Sequence, residues 1–373
     1  MGQNFSAPVT SKETNLWENE NYLVAASSMQ GWRVHMEDAH TCLLQLPGDP
    51  KAAYFSIFDG HGGTRVAKHA GLHLHERLVS QPEYGRNDIK EALRRSFLSL
   101  DAEMQAEMTN YPTCQKPSSD KENMYSPRSG TLAVRSAGPL HTSNKSDNLN
   151  TSANTSSSRL PPNPGDELAG STGIVILLRD QMLFCGNAGD SRAVCSRRGI
   201  AEPLSTDHKP TLKGEKERII AAGGWVDANR VNGNLALSRA FGDFIFKRNP
   251  RQTAENQIVS ANPDVYTRRL SADEDEFLVL CCDGIWDVMT NQEVVSFIRL
   301  RLSCGMSPDK VCEQLMMRCL APDCHTNGLG CDNMTVVLVC LLYGQPISDL
   351  QRRCSRPCFA GPAVDILGHN FTF

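Results

Sequence analysis

The sequence FSIFDGHGG at residues 55–63 decides the fold class, because an apolar run of strand length ends directly in an acidic, glycine-rich turn. The same arrangement recurs in FLVLCCDG at residues 277–284. In the opposite order, Asp332-Asn333 precedes an apolar run that extends to residue 343. Such runs predict rigid strands that are covered on both faces and have acidic side chains at their ends.

Helical patterns separate clusters of strand-like runs along the chain. Apolar residues recur at helical spacing at residues 65–80 and 88–108. Thr290 with Glu293 predicts a capping box, and Ser307-Pro308 predicts another helix start. A further helix is predicted at 214–222, and strands at 22–28, 41–46, 54–58, 173–178, 182–186, 192–195, 264–269, 277–282 and 335–343. Strands in runs favour an α+β layered fold over an alternating parallel sheet.

Composition bounds the function. The 373 residues have a net charge of −4, which argues against a nucleic-acid binder. No apolar run reaches the roughly 18–20 residues of a membrane span. The start MGQNFS lacks a basic and then apolar signal sequence, so we expect a cytoplasmic protein, with the nucleus or a membrane surface as alternatives. The 14 cysteines are then mostly expected to be free, buried thiols.

Two tails flank the predicted catalytic domain of residues 21–343, and one insertion interrupts it. Residues 113–165 are rich in Ser, Asn, Thr and Pro and contain too little apolar surface to offset the entropy of ordering. We therefore predict a disordered insertion there. Residues 1–20 are predicted to be an N-terminal tail, and residues 344–373 a short C-terminal tail.

The chemistry is predicted from acidic residues at strand ends: Asp59, Asp283 and Asp332, with Glu37, Asp38 and Asp190 nearby in the pattern. Carboxylates that converge at strand ends repel one another unless cations bind, and ligation by oxygen alone selects Mg²⁺ or Mn²⁺. Two such ions can hold a bridging water as hydroxide near neutral pH. A single Asp-Gly after a strand is usually only a turn, so the prediction depends on the joint occurrence.

Two further residues complete the predicted site. Arg33 can bind a phosphate through its bidentate guanidinium, and His61 can protonate a leaving oxygen. Taken alone, each would be interpreted as a surface residue.

Nine blocks, in order, resemble the metal-dependent protein phosphatases, the type 2C serine/threonine phosphatases. They are QGWRVHMEDAH (30–40), FSIFDGHGG (55–63), AGSTGIVIL (169–177), GNAGDSRAV (186–194), DHKP (207–210), EKERIIAAGG (215–224), RVNGNLALSRAFGD (230–243), CCDGIWDVM (281–289) and CDNMTVVLV (331–339). The resemblance covers about residues 22–342 and is interrupted by the predicted insertion.

The resemblance implies a four-layer αββα sandwich with two antiparallel sheets. It also implies two Mn²⁺ or Mg²⁺ ions, with Asp59 bridging them, the Gly60 carbonyl on one, and Asp283 and Asp332 on the other. Glu37 and Asp38 would orient metal-bound water, and Asp190 and Asp287 would help to form a weaker third metal site. Residues 203–257 correspond to a flap beside the cleft.

The implied reaction is hydrolysis of phosphoserine and phosphothreonine in phosphoproteins. The bridging hydroxide would attack phosphorus, Arg33 would hold the phosphoryl oxygens, and His61 would act as general acid. A catalytically inactive pseudophosphatase that acts as a binding module is the alternative. A cysteine-nucleophile phosphatase is a weaker alternative. Cys312 and Arg318 have the Cys-x5-Arg spacing, but the residues between them include no glycine to form a phosphate-binding loop.

The N-terminus adds a separate hypothesis. Met1-Gly2-Gln3-Asn4-Phe5-Ser6 matches the pattern for myristoylation at Gly2. One acyl chain without a polybasic patch gives only weak membrane association. We expect a monomer.

Overall fold

The computed structural model describes residues 4–110, 166–323 and 328–357 of the chain, and its strands pair antiparallel throughout the main sheets. In chain order the strands are β1 (Asn4–Glu18), β2 (Tyr22–Arg33), β3 (Ala39–Leu43), β4 (Ala52–Phe58), β5 (Gly60–His61), β6 (Gly170–Ser171), β7 (Gly173–Arg179), β8 (Met182–Ala188), β9 (Arg192–Arg197), β10 (Ile200–Pro203), β11 (Val226–Asp227), β12 (Arg230–Val231), β13 (Phe241–Gly242), β14 (Asp264–Arg269), β15 (Asp275–Cys281) and β16 (Met334–Leu341).

The helices lie between these groups of strands. They are α1 (Arg65–Val79), α2 (Pro82–Gly85), α3 (Ile89–Asn110), α4 (Lys213–Ala221), α5 (Asp283–Trp286), α6 (Asn291–Ser303), α7 (Pro308–Cys319) and α8 (Ile347–Cys354), with short 3₁₀ turns at Asp166–Leu168, Phe244–Phe246 and Ala254–Asn256.

Two large sheets form the centre of the domain. One has the strand order β1-β2-β16-β15-β9-β10, and the other β14-β8-β7-β4-β3. Their facing sides share one core, in which Phe55 and Ile176 from one sheet pack in the same cluster as Leu280 and Val337 from the other. The outer faces are covered by α5–α8 on one side and α1–α3 on the other. The predicted αββα sandwich is confirmed.

The apolar runs became strands because both of their faces are covered. Every residue of β4, β15 and β16 is buried. The predicted capping box is also present, since the Thr290 side chain accepts from the Glu293 N–H and the Glu293 carboxylate accepts from the Thr290 N–H. Pro308 occupies the first turn of α7 as predicted.

The N-terminal prediction is wrong for most of its length. Asn4–Glu18 is not a tail but the edge strand β1, which runs antiparallel to β2 from Glu18 beside Leu23 to Asn4 beside Arg33. The strand is mostly exposed, so its sequence has no buried face to produce an apolar alternation. Its order comes from the backbone hydrogen bonds that β2 offers.

The C-terminal prediction is wrong for Ile347–Cys354, which form α8. Leu350 is buried against the helical layer, and the buried Arg353 donates to the backbone carbonyls of Asp275 and Leu341 at 2.9 and 2.7 Å. The guanidinium therefore ties the helix to the ends of β15 and β16.

Two further predictions concern the insertion and the flap. All of the predicted insertion at 113–165 lies outside the described residues, as does Gly2. Residues 204–263, between β10 and β14, contain nearly all of the region predicted as the flap and have a small apolar core around Ile219 and Phe246.

Within the described part of the chain ten cysteines are free thiols, whereas Cys331 is disulfide-bonded.

Candidate active site

Acidic residues from separate elements converge where β4, β15 and β16 meet. Asp59 joins β4 to β5, Asp283 begins α5 directly after β15, and Asp332 lies two residues before β16. Burial raises the pKa of Asp59 well above its usual value, and the charges of Asp283, Asp38, Asp332 and Asp190 raise it further. The pKa of Asp283 is raised in the same way, by burial and then by Asp190, Asp332 and Asp287. The structure thus brings together the acids that the sequence predicted.

The backbone around Asp59 is fixed by a neighbouring strand. Its N–H donates to the Thr172 hydroxyl at 3.2 Å, and the Thr172 N–H donates to the Asp59 carbonyl at 2.9 Å. The Thr172 hydroxyl also contacts that of Ser191 at 2.7 Å, next to Asp190. One buried threonine therefore sets the relative position of the turns that contain Asp59 and Asp190.

Asp38 lies beside Asp59 and a buried thiol. Ligand atoms of Asp38, Asp59 and Cys282 lie within 4.8 Å of one another. Asp38 Oδ2 accepts from the Thr335 hydroxyl at 2.7 Å, whereas the buried Oδ1 has no protein partner among the described residues. Burial raises the pKa of the Cys282 thiol well above its usual value, and its Sγ donates to the Asn333 carbonyl at 3.4 Å.

Close backbone packing explains two glycines of the site. A Cβ on Gly60 would lie 2.4 Å from the Glu37 carbonyl oxygen, and one on Gly284 would lie 2.2 Å from that of Asn333. The Asn333 side chain accepts from the Glu37 N–H at 2.9 Å and donates to the Gln30 and His35 carbonyls. Asn333 therefore fixes the loop that contains Glu37 and Asp38 against Asp332.

Two cations lie in contact with the acids. Arg33 forms an ion pair with Asp332, and Lys209 forms one with Asp190. Burial alone would lower the pKa of Lys209, but the Asp190 carboxylate outweighs it and raises that pKa. Asp287 ends α5, and burial followed by the charge of Asp190 raises its pKa despite the opposing effect of Lys209.

His61 is held by an acid that the sequence reasoning did not assign. In the three-stranded sheet β13-β6-β5, Gly170 pairs with both His61 and Gly242, so His61 and Asp243 flank it. His61 Nε2 lies 2.8 Å from Asp243 Oδ2, and a Cβ on Gly170 would clash with both atoms. Burial lowers the pKa of His61, but the Asp243 carboxylate outweighs it, so the net pKa is raised.

The donor set fits divalent cations. Asp38 and Asp190 each have a buried carboxylate oxygen without a partner among the described residues. Burial, and then the charges of neighbouring acids, raise the pKa of Asp38, Asp59 and Asp283, and a bound cation would offset both effects. Carboxylate and carbonyl oxygens are the ligands that Mg²⁺ and Mn²⁺ prefer.

Comparison with known proteins agrees with this geometry. The family profile described as protein phosphatase 2C matches residues 22–137 and 133–328. A probable protein phosphatase 2C of Caenorhabditis elegans is 49% identical over 357 residues, covering 96% of this chain and 85% of that protein.

The chain belongs to the protein phosphatase 2C family. It is thus a protein serine/threonine phosphatase, with phosphoproteins as its substrates, and the family generally depends on Mn²⁺ or Mg²⁺. A homologue from Schizosaccharomyces pombe, protein phosphatase 2C homolog 3, is 42% identical and covers 92% of this chain and 70% of that protein.

Solved structures support the fold of the phosphatase. The serine-threonine phosphatase 2C of Toxoplasma gondii superposes with a TM-score of 0.63 at 20% identity, covering 89% of this chain and 99% of that chain. A second phosphatase from the same organism gives a TM-score of 0.62 at 24% identity, over 90% and 96% of the two chains.

Three residues of the phosphatase site were missed as individuals: Lys209, Asp243 and Asn333. Each lies inside a block that carried the resemblance, DHKP, RVNGNLALSRAFGD or CDNMTVVLV. Their partners lie 19 to 303 residues away in sequence. The local sequence pattern therefore identified the segments, but it did not indicate which distant residues these side chains contact.

The metal-free phosphatase is expected to lose stability as pH rises. Asp38 has its pKa raised to about 7, by burial first, so the folded state binds its proton more tightly than the unfolded state does. Its contribution to the free energy of unfolding therefore falls as pH rises from about 4 towards 7. Melting temperatures in EDTA between pH 5 and pH 8 measure this slope. Asp38→Asn should make the slope shallower, and an equal slope in both proteins would contradict the assignment.

Proposed function

We propose that this phosphatase hydrolyses phosphoserine and phosphothreonine in proteins with the help of two Mn²⁺ or Mg²⁺ ions. The observation that supports this is the convergence of Asp59, Asp283 and Asp332 in one partly buried cluster, where desolvation and then the neighbouring carboxylates raise the pKa of Asp59. Without cations, repulsion between these carboxylates lowers the free energy of unfolding. Groups with such strongly shifted pKa values are concentrated at functional sites.

We infer the residues that would hold the ions from the acidic cluster. Asp59 and the Gly60 carbonyl, with Asp283 and Asp332, would bind the two ions, and Asp190 and Asp287 would contribute to a weaker third site. Glu37 and Asp38 would orient water at the site. When bound, the ions would lower the pKa of a shared water molecule and neutralise charge on the phosphoryl group.

The chain's own cation and acid would act on the substrate directly. Arg33 is about one-third exposed and contacts Asp332 through one nitrogen, so its remaining N–H groups can bind phosphoryl oxygens. His61, with its Nε2 on Asp243, can donate its other ring proton to the departing seryl or threonyl oxygen. No protein nucleophile is required, and the buried Cys312 lies within α7 with its pKa raised by burial.

The test is metal-dependent turnover by the purified full chain. A phosphothreonine peptide and a small aryl phosphate are assayed after EDTA treatment, with and without added Mn²⁺ or Mg²⁺. We expect hydrolysis that is lost in EDTA and restored by the ions. Activity that persists in excess EDTA would overturn the metal mechanism, and no turnover with either ion would instead favour the binding-module alternative.

We further propose a monomeric protein of the cytoplasm or nucleus that is myristoylated at Gly2, with weak membrane association. The support is the N-terminal motif, together with the start of β1 at Asn4, which would fix an acyl chain at the edge of the sheet. No helix in the described ranges is long and apolar enough to cross a membrane. Mass spectrometry of the native N-terminus tests the modification, and an unmodified Gly2 would refute it.

A further inference from the structure

A groove of about 390 Å³ lies between α6 and α7, on the helical layer outside the six-stranded sheet. We call it the α6–α7 groove, and its lining includes Met289, Phe297, Leu300, Arg301 and Arg318. None of these residues belongs to the acidic cluster described above.

The groove exposes apolar side chains that the core does not use. The buried face of α6 is formed by Val294, Val295, Ile298 and Leu302. Leu300 lies off that face and is 62% exposed, and Phe297 beside it in the lining is only partly buried. Apolar side chains grouped on a helical surface beside a groove are typical of a contact site for another chain.

The charged residues of the groove are mainly basic. The Arg301 guanidinium lies 3.2 Å from the centre of the Phe297 ring, and its Nε donates to Gln314 at 2.7 Å. Among the described residues Arg301 and Arg318 form no ion pair within 4 Å. The carboxylate of Glu293, the acid in the lining, accepts from both the N–H and the hydroxyl of Thr290 at 2.8 Å. The hydrogen bonds from Thr290, and then the charge of Arg318, lower the pKa of Glu293. Two arginines and one glutamate leave the lining with a net positive charge, which favours an acidic partner.

The α6–α7 groove adjoins a depression that reaches Asp287, at the border of the acidic cluster. A second depression of about 480 Å³ shares Met289 and Gln292 with it and extends to Asp287 and Arg192. Along α6, the ten residue steps from Asn291 to Arg301 span roughly 15 Å at 1.5 Å per residue. An extended peptide covers that length in about five residues.

We propose that the α6–α7 groove binds an acidic segment with one apolar side chain in the phosphoprotein substrate, at least about five residues from the phosphorylated residue. The arginines pair with the acidic residues, while Leu300 and Phe297 contact the apolar one. This rests on the proposed function, because it assigns a substrate class to the same active site.

The test compares phosphothreonine peptides that differ only in this segment. One set has Asp-Asp-Leu-Asp at about five to ten residues before or after the phosphothreonine, one has Lys in place of Asp, and one has no segment. We expect the acidic segment to raise kcat/KM about tenfold in one of the two directions, because KM falls. This is the effect expected from two exposed ion pairs and one apolar contact.

Two double variants test whether the preference for the acidic segment arises in the groove. Arg301→Glu with Arg318→Glu should remove the preference and leave turnover of a small aryl phosphate unchanged. The matched control is Lys51→Glu with Lys90→Glu, which makes the same change of charge at exposed positions on the other side of the sandwich. Equal kcat/KM for all peptides, or an equal loss in the control, would overturn the proposal.

A separate readout distinguishes this proposal from the proposed function. Fluorescence anisotropy of the unphosphorylated acidic peptide measures binding without catalysis. Binding that the Arg301 and Arg318 substitutions abolish supports the groove even if no turnover is found. Failure of aryl phosphate hydrolysis in the unaltered protein counts only against the proposed function.

Discussion

Replacing Asp59 with asparagine is expected to lower kcat/KM for phosphopeptides on the order of a thousandfold, the effect of removing one preorganised charged group. The amide keeps the shape of the side chain and the backbone bonds to Thr172, but it removes the negative charge at the centre of the cluster. A neutral oxygen binds Mn²⁺ and Mg²⁺ far more weakly than a carboxylate does. Steady-state kinetics over a range of Mn²⁺ concentrations measure the loss.

The same substitution should make the metal-free protein more stable. Asp59 is repelled by Asp283, Asp38, Asp332 and Asp190, and the amide relieves this repulsion. A higher melting temperature in EDTA, together with lost activity, separates a lost ligand from a misfolded protein. Asp227→Asn, at an exposed position of the β11–β12 hairpin, is the matched control. Near-normal activity of Asp59→Asn would refute its assignment as the central ligand.

Replacing His61 with glutamine is expected to slow hydrolysis of phosphothreonine peptides about a hundredfold or more, the usual contribution of a general acid. A threonyl alkoxide needs a proton to depart, whereas the phenolate of p-nitrophenyl phosphate does not. The loss should therefore be much smaller for the aryl phosphate. Parallel measurement of kcat for both substrates gives the ratio, and an equal loss for both would contradict the role of His61 as proton donor.

Asp243→Asn distinguishes orientation from proton donation. The amide can still contact His61 Nε2, but it removes the charge that raises the pKa of the imidazole. We expect the same selective loss for phosphothreonine peptides, smaller than in His61→Gln. The double variant should be no slower than His61→Gln alone, since Asp243 would act through that residue. A multiplicative loss in the double variant would show that the two residues act independently.

Local sequence predicted the elements whose residues carry their own signal. Residues 54–58 and 277–282 are apolar except for Ser56, because both sheet faces are covered. Thr290 and Glu293 form hydrogen bonds with each other within one helical turn. Asp59, Asp283 and Asp332 were found because each borders such a strand. The acids could be predicted together because strand ends of stacked sheets meet.

The remaining features depend on contacts between distant residues. β1 is ordered by backbone pairing with β2, and α8 by Arg353 reaching the ends of two strands. Asp243 becomes part of the site only because Gly170 brings it beside His61, 182 positions away in sequence. No property of the residues adjacent to Asp243 encodes that neighbour.

The edge strand β1 has a practical consequence for recombinant work. Because it runs antiparallel to β2, its first described residue, Asn4, pairs with Arg33, the residue proposed to bind phosphate. An affinity tag fused ahead of Met1 would thus emerge next to the mouth of the cleft and compete with protein substrates for that space. Deleting residues 4–18 would leave the backbone N–H and C=O groups along one side of β2 unpaired, and such a sheet edge promotes self-association. A purification handle is better placed at the other end of the polypeptide.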